Sequence, residues 1–353
     1  MISIVYITFR ENCRFEWFIE SLMNQTNDEQ RAGLQLIVVD GFLFGSDEVK
    51  RRAYFRDLVG GKIELVHVSP KPTKWQGQYR VTSENYFAAA NTRNTGACYA
   101  KHPYLVFVDD LGVLGPHWFE SVLEGAQRER IYCGAYTKVK DIVVESGRFI
   151  GGNTEGGVDS RLSYYKDDLS ECPGGHMFGS SFGIPIEIYF HVNGQNEMCD
   201  GVAGEDYDLG LRLQRLGVPL YYNKRMFIHE SDYSFGSDRE RKCIRSDPVV
   251  SAEAYEALMV EYDLLNHEGR KDLSHFLLAY GYAGPMCVNP EFSLENYNQV
   301  ICKDGIADPF LKPTGQEIHF FTKKRVSEGL YEPAAQTLEF IDGRTMVSPM
   351  DNQ

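Results

Sequence analysis

Aliphatic and β-branched runs alternate with stretches of helical periodicity through residues 1–110, and that alternation restricts the fold more than any other feature of the chain. Ile2–Thr8 is a strand pattern. Phe15, Phe18, Ile19, Leu22 and Met23 follow at i, i+3, i+4, i+7 and i+8, the stripe of an amphipathic helix. Leu34–Asp40, closed by Gly41, and Lys62–Val68 are further strand patterns, and Tyr104–Asp109 is a fourth. Between the last two, the spacing predicts a helix over Ser83–Lys101 with Phe87, Ala90, Ala97 and Cys98 turned inward. Strands joined by helices imply an α/β fold whose mostly parallel sheet is covered on both faces.

In such sheets ligands bind beyond the carboxyl ends of the strands, where the connecting segments diverge. Three strand patterns here end in polar or acidic residues: Thr8 with Arg10 and Glu11, then Asp40, then Asp109 with Asp110. A single Asp after a strand is a turn former or helix cap; three such ends on one edge carry more information. The middle third is rich in glycine (Gly151, Gly152, Gly156, Gly157, Gly174, Gly175, Gly179) and reads as irregular loops built around a ligand or acceptor. Order returns at Phe178–Pro185, in helix patterns over Pro185–Val192 and Glu205–Leu216, and in a last strand over Pro219–His229. Beyond it, helical patterns (Ala252–Leu265, Leu273–Tyr282) mix with Pro and Gly breaks, and plentiful aromatics predict a packed appendage.

Charge and cysteine usage narrow the function. Lys and Arg number 36 against 50 Asp and Glu, a formal net charge of −14. That balance disfavours nucleic acid or an anionic membrane as partner, because such binding rests on Lys and Arg displacing counterions. The eight cysteines include no C-x-x-C pair, so they read as buried thiols of a reducing compartment. The first residues pass directly into a strand pattern without a charged leader, and no apolar run reaches the ~20 residues of a membrane span. A soluble, cytoplasmic protein is expected.

Glycine-rich phosphate signatures are missing: there is neither a G-x-x-x-x-G-K-[ST] nor a G-x-G-x-x-G after the first strand, and no H-E-x-x-H. An acidic strand edge holds phosphates only through a divalent cation. Asp109 and Asp110, after a buried strand and before the Pro116-His117-Trp118 helix start, are hard oxygen ligands suited to Mg2+ or Mn2+; in isolation the pair reads as a solvated turn. Glu205 and Asp206 open the helix pattern that carries Leu209, Leu213 and Leu216 and stops at Gly217. They complement the helix dipole, worth about 0.3–1 kcal/mol, or supply a carboxylate that accepts a proton from a sugar hydroxyl. The residues leave these two readings level.

In their order along the chain, these segments resemble the metal-dependent, inverting GT-A glycosyltransferases, in particular the family 2-like enzymes, over residues 1–230. Ile4–Glu11 with Glu20–Gln25 is similar to the family's first strand and helix, Val38–Gly41 to the strand whose Asp reads the nucleotide base, Ala90–Gly96 to its Arg-Asn-x-Gly helix, and Val108–Asp110 to its DXD region. Phe178–Pro185, Val192–Gly194 and Gly204–Asp206 resemble its acceptor half, also seen in galactosyltransferase-like regions. The resemblance implies a nucleotide-sugar half at 1–110, an acceptor half at 111–230 and a separate, mainly helical extension at 231–353. It implies that Thr8, Arg10, Glu11, Asp40, Arg93 and Asp109 receive a nucleoside-diphosphate sugar, with UDP as the nucleotide. Asp110, Asp109 and His229 would bind Mn2+ or Mg2+, His229 reading alternatively as a surface or capping histidine. Asp206 would be the general base and Glu205 would orient a saccharide or other hydroxyl acceptor, all around one cavity. Leu111 stands where family members commonly carry a third acidic residue; Leu cannot bind a cation, and a shifted loop that lets Asp110 coordinate is the simplest accommodation. Asn94 reads alternatively as a buried residue satisfying backbone groups. The Trp75–Arg80 segment and the aromatic-rich tail either shape the acceptor site, close over the donor or pack in the core. Two other functions stay open: a non-catalytic sugar- or nucleotide-binding module, and transfer to modified nucleic-acid bases, against which the net charge weighs.

Overall fold

A computed structural model describes residues 1–43, 47–68, 70, 88–155, 157–178, 180–192, 194–195, 204–215 and 217–232, with strand segments at 319–320, 337–340 and 345–347. In chain order the elements are β1 (Ile2–Thr8), α1 (Phe15–Gln25), α2 (Asp28–Ala32), β2 (Leu34–Asp40), α3 (Glu48–Val59), β3 (Glu64–Val68), α4 (Ala89–Tyr99), β4 (Tyr104–Asp109), β5 (Gly112–Leu114), α5 (Trp118–Arg128), β6 (Ile131–Glu145), β7 (Arg148–Asn153), α6 (Arg161–Tyr164), β8 (Leu169–Cys172), β9 (Ser181–Pro185), α7 (Ile186–His191), α8 (Glu205–Arg215) and β10 (Leu220–Ser231). The short strands β11 (His319–Phe320), β12 (Thr337–Phe340) and β13 (Thr345–Val347) follow. Two compact units emerge: Met1–Ser69, Ala100–Ile188 and Pro219–Glu240 form the first, and Pro70–Tyr99, Tyr189–Val218 and Arg241–Gln353 the second.

The first unit is built on one sheet in the order β3-β2-β1-β4-β9-β6-β10-β5, parallel from β3 to β4 and again between β6 and β10. Every residue of β1 and β2 is buried, as the unbroken apolar runs of a sheet covered on both faces require. Ile2, Ile4 and Tyr6 share one core with Leu34, Leu36 and Val38 and with Tyr104, Val106 and Val108. The predicted stripe of α1 packs into it through Phe15, Phe18, Ile19 and Leu22. Phe15 lies 5.1 Å from the Tyr6 ring and 4.8 Å from the Phe55 ring of α3, edge-on contacts worth about 0.5–1.5 kcal/mol each beyond area burial. Asp47 caps α3 by accepting from Lys50 N, and Gly60 ends the helix in the left-handed region at φ 60°.

The middle third departs from expectation. Of the glycines expected in loops, Gly157, Gly174 and Gly175 do lie outside strands, but Gly151 and Gly152 lie in β7, which pairs with β6 as an antiparallel hairpin, and β6 enters the main sheet. Ile131–Ala135 is buried at every position, so no alternation marks it as a strand in the sequence. Gly147 turns the hairpin at φ 68°, where a Cβ would come within 2.4 Å of the Ser21 backbone nitrogen.

In the second unit, the described part of the predicted Ser83–Lys101 helix is α4, with Ala90, Ala97 and Cys98 buried; Phe87 lies outside the described residues. The strands β11, β12 and β13 form a small antiparallel sheet. The Trp75–Arg80 segment and the helices expected over Ala252–Leu265 and Leu273–Tyr282 also lie outside the described residues. Among the described residues, no helix is long and apolar enough to cross a membrane.

Candidate functional site

Parallel register levels the sheet edge of the first unit: Thr8 lies opposite Asp40 across β1 and β2, and Ile7 opposite Asp109 across β1 and β4. The Asp40 side chain is fully buried. Its Oδ2 accepts from Arg51 Nε at 2.7 Å and lies 3.1 Å from His67 Nε2, and its Oδ1 accepts from Phe42 N at 3.0 Å and Arg51 Nη2 at 3.2 Å. Burial pushes the Asp40 carboxyl up, but hydrogen bonds from His67 and Arg51 outweigh it and hold the group below its ordinary range. Arg51 also donates to Glu11 O and Arg10 O, both at 2.6 Å, and so ties the segment after β1 to the end of β2. Sequence reasoning misses both partners of Asp40. The signal for Arg51 is a cation on an apolar stripe: Arg51, Phe55 and Val59 are the buried residues of α3, spaced i, i+4, i+8. His67 offers none.

Asp110, just past β4, is held differently. Thr8 Oγ1 donates to its Oδ2 at 2.6 Å and Arg10 Nε to its Oδ1 at 3.1 Å. Here burial prevails and pushes the carboxyl up to about 6, against the pull of Arg10 and Thr8. Leu111 then takes φ 60°, a left-handed conformation that costs a branched residue about 1–2 kcal/mol. Its N–H donates to Cys13 O at 3.3 Å and its carbonyl accepts from Ser231 N at 3.0 Å, which fix the kink. Glu11 is exposed and lines a cavity of about 590 Å3 with Phe42, Arg51 and Tyr54.

Asp109 donates its backbone N–H to Ser180 O at 3.2 Å. Nearby, Glu230 accepts from Ser180 Oγ at 3.0 Å and pairs with Lys138. Burial raises the Glu230 carboxyl, Lys138 opposes this, and the charge of Asp109 adds to the rise. His229 lies flat on Phe149, ring centroids 3.8 Å apart and 11° from parallel, with Phe227 edge-on at 4.7 Å. Burial lowers its pKa to about 4, so the imidazole is neutral at pH 7, and its buried Nδ1 meets no hydrogen-bond partner among the described residues. A neutral imidazole suits a metal, but the rest of the expected set does not assemble. Both Asp110 oxygens accept from Thr8 and Arg10, and among the described residues no three His, Cys, Asp or Glu side chains converge as metal ligands. As placed, Asp109, Asp110 and His229 do not form a three-ligand cluster among the described residues.

In the second unit, Arg93 of α4 meets the first turn of α8. Its Nη1 lies 3.1 Å from both Glu205 Oε1 and Asp206 Oδ1 and 3.3 Å from Gln195 Oε1. Gln195 Nε2 donates to the same Asp206 Oδ1 at 2.8 Å. Asn94, next on α4, holds the Gln195 main chain from both sides, donating to its carbonyl at 2.8 Å and accepting from its N–H at 2.9 Å, while Tyr189 OH donates to Asn94 Oδ1 at 2.7 Å. The reading of Asn94 as a satisfier of buried backbone groups is the one the structure bears out. Arg212, in a fully buried pair with Asp208 at 2.8 Å, donates to Val192 O at 2.5 Å and anchors the same segment. Of the residues expected to act, the structure groups Arg93 with Glu205 and Asp206 in this unit, and Thr8 and Arg10 with Asp110 in the other. Sequence reasoning misses Gln195, since a lone amide before an acidic run makes no pattern.

No family model matches the chain. Two validoxylamine A glucosyltransferases, from Streptomyces hygroscopicus subsp. jinggangensis (strain 5008) and subsp. limoneus, are each 24% identical over 201 residues, 49% of this chain and 48% and 44% of theirs. The chain thus spans about half the length of the curated relatives it matches. Among solved structures it is similar to a crystal structure of GalNAc-T7 with UDP, GalNAc and Mn2+, at a TM-score of 0.51 and 13% identity, covering 86% of this chain and 55% of that one. The likeness gives the fold: mixed α/β, a mostly parallel sheet flanked by helices, similar to the GT-A glycosyltransferases.

Proposed function

We propose that the chain is an inverting glycosyltransferase that moves a sugar from a UDP-sugar to a hydroxyl acceptor. The observation that carries this reading is Asp206. It is a part-exposed carboxylate in the first turn of α8, with one oxygen gripped by both Arg93 and Gln195. A carboxylate so held is oriented before substrate arrives, as a general base must be. The GT-A-like fold and the two glucosyltransferase relatives support the same class.

In this reading the acceptor oxygen attacks the anomeric carbon opposite the leaving group. A new C–O bond forms as the bond to the diphosphate breaks, the hydroxyl proton passes to Asp206, and UDP leaves with configuration inverted. General base catalysis contributes about 10²–10⁴-fold. Glu205 orients the acceptor, and Arg93 grips both α8 carboxylates. Thr8, Arg10, Glu11 and Asp109 serve the donor, where Arg10 offsets charge on the departing diphosphate. Asp40, saturated by Arg51 and His67, acts by fixing the 10–11 segment. The second reading, a non-catalytic sugar- or nucleotide-binding module, is favoured by the commitment of Asp40 and Asp110 to internal partners.

The test is a panel of nucleotide sugars, UDP-glucose first, assayed for thermal stabilisation and for UDP release with and without saccharide acceptors. One donor that raises the melting temperature and releases UDP is the expected result. Stabilisation without release under any condition would favour the binding module, and neither effect at millimolar donor would sink both readings.

A further inference from the structure

We propose that Gln195 is a positioning residue for the catalytic base, a role that rests on the reading of Asp206 above. The side chain is completely buried, yet it is a primary amide with two donors and a carbonyl to satisfy. Its carbonyl and one of its N–H donors meet the two members of the α4–α8 cluster: Oε1 accepts from Arg93 Nη1 at 3.3 Å, and Nε2 donates to Asp206 Oδ1 at 2.8 Å. Only one amide orientation serves both contacts, because the guanidinium cannot accept and the carboxylate cannot donate. Asp206 Oδ1 is therefore pinned from two directions, by a cation and by a neutral donor, and the plane of the carboxylate is set.

The main chain that carries Gln195 is itself immobilised. Gly194 N donates to Tyr189 O at 2.9 Å, Arg212 holds Val192 O, and both polar groups of the Gln195 backbone bond to Asn94. A buried amide needs only one satisfied geometry; a segment fastened at three successive points so that its amide reaches a part-exposed carboxylate is arranged for orientation. The guanidinium of Arg93 from α4 pairs with both Asp206 and Glu205 of α8. Neutral Gln195 adds a hydrogen bond without altering that charge balance.

The test uses the full chain, the donor found in the panel, and three variants. Gln195→Met keeps the volume and removes the donor; kcat is expected to fall about tenfold with the donor KM within twofold and the melting temperature little changed. Gln195→Glu places a like charge against Asp206, which raises the pKa of that carboxyl. Because the base works only when ionised, the acidic limb of the kcat–pH profile should then move up by about one pH unit. Asp206→Asn should remove that limb. If Asp206→Asn lowers turnover but both Gln195 variants keep the wild-type kcat and limb, or lose only stability, Gln195 is a packing residue and the proposal is overturned while the base survives. If Asp206→Asn turns over like the wild type, or no donor turns over at all, the reading of the base falls and the role of Gln195 falls with it.

Discussion

Asp40, fully buried at the end of β2, and Asp110, part-buried just past β4, flank β1, yet their pKa values shift in opposite directions. Asp40 meets the Nε and Nη2 of Arg51, a backbone N–H and His67, and sits below its ordinary pKa range. Asp110 meets one hydroxyl and one guanidinium nitrogen, and burial carries it to about 6. Burial opposes charge in both places; the number and quality of donors decide the winner. Asp40 is thus a lock that joins β2 to the segment after β1. Asp110 is a carboxylate whose charge lies within reach of physiological change, on the edge where a ligand is expected.

The largest effect should separate the two arginines. Arg51→Met strands the buried Asp40 charge beside His67 and should cost about 3–5 kcal/mol in urea unfolding. Arg10→Met acts on a pair whose side chains are 14% and 13% exposed, and should cost about 1 kcal/mol. Equal losses would break the distinction between lock and poised group.

A smaller effect lies in pH. The folded pKa of Asp110, about 6, stands above its ordinary 3.8, so the folded state binds the proton more tightly than the unfolded chain does. Its contribution to stability is present below the ordinary value and is lost as pH rises through about 6. Asp40, whose folded pKa is lowered, has the reverse sign: its contribution is present above the ordinary value and is lost only as pH falls through its depressed one. Urea midpoints of the wild type and Asp110→Asn should accordingly drift, the wild type weakening relative to the variant between about pH 4 and 6. The same comparison with Asp40→Asn should be flat across that window. A flat difference for Asp110→Asn would remove the contrast.

How much of this was legible in the sequence follows from what each element needs. The bounds of β1, β2 and β4 match the expected runs because fully buried parallel strands are contiguous apolar segments closed by turn residues. The β6–β7 hairpin is hidden because its buried start has no period and glycines at a hairpin look like glycines in a loop. The acidic strand ends announce themselves; the arginine that meets Asp40 does not, since Arg51 comes from a helix stripe that reads as core. Adjacent Asp109 and Asp110 say nothing of direction, and the Asp110 carboxylate turns to Thr8 and Arg10 where a metal set was expected. Gln195 meets Asn94 across 101 residues, a separation at which a single sequence carries no pairing signal.

The most direct test of the account is the steady-state turnover of Asp206→Asn on the donor that stabilises the wild type, measured beside its nucleotide affinity. The account predicts affinity within about twofold and turnover reduced by about 10²–10⁴-fold. Turnover near that of the wild type would contradict it.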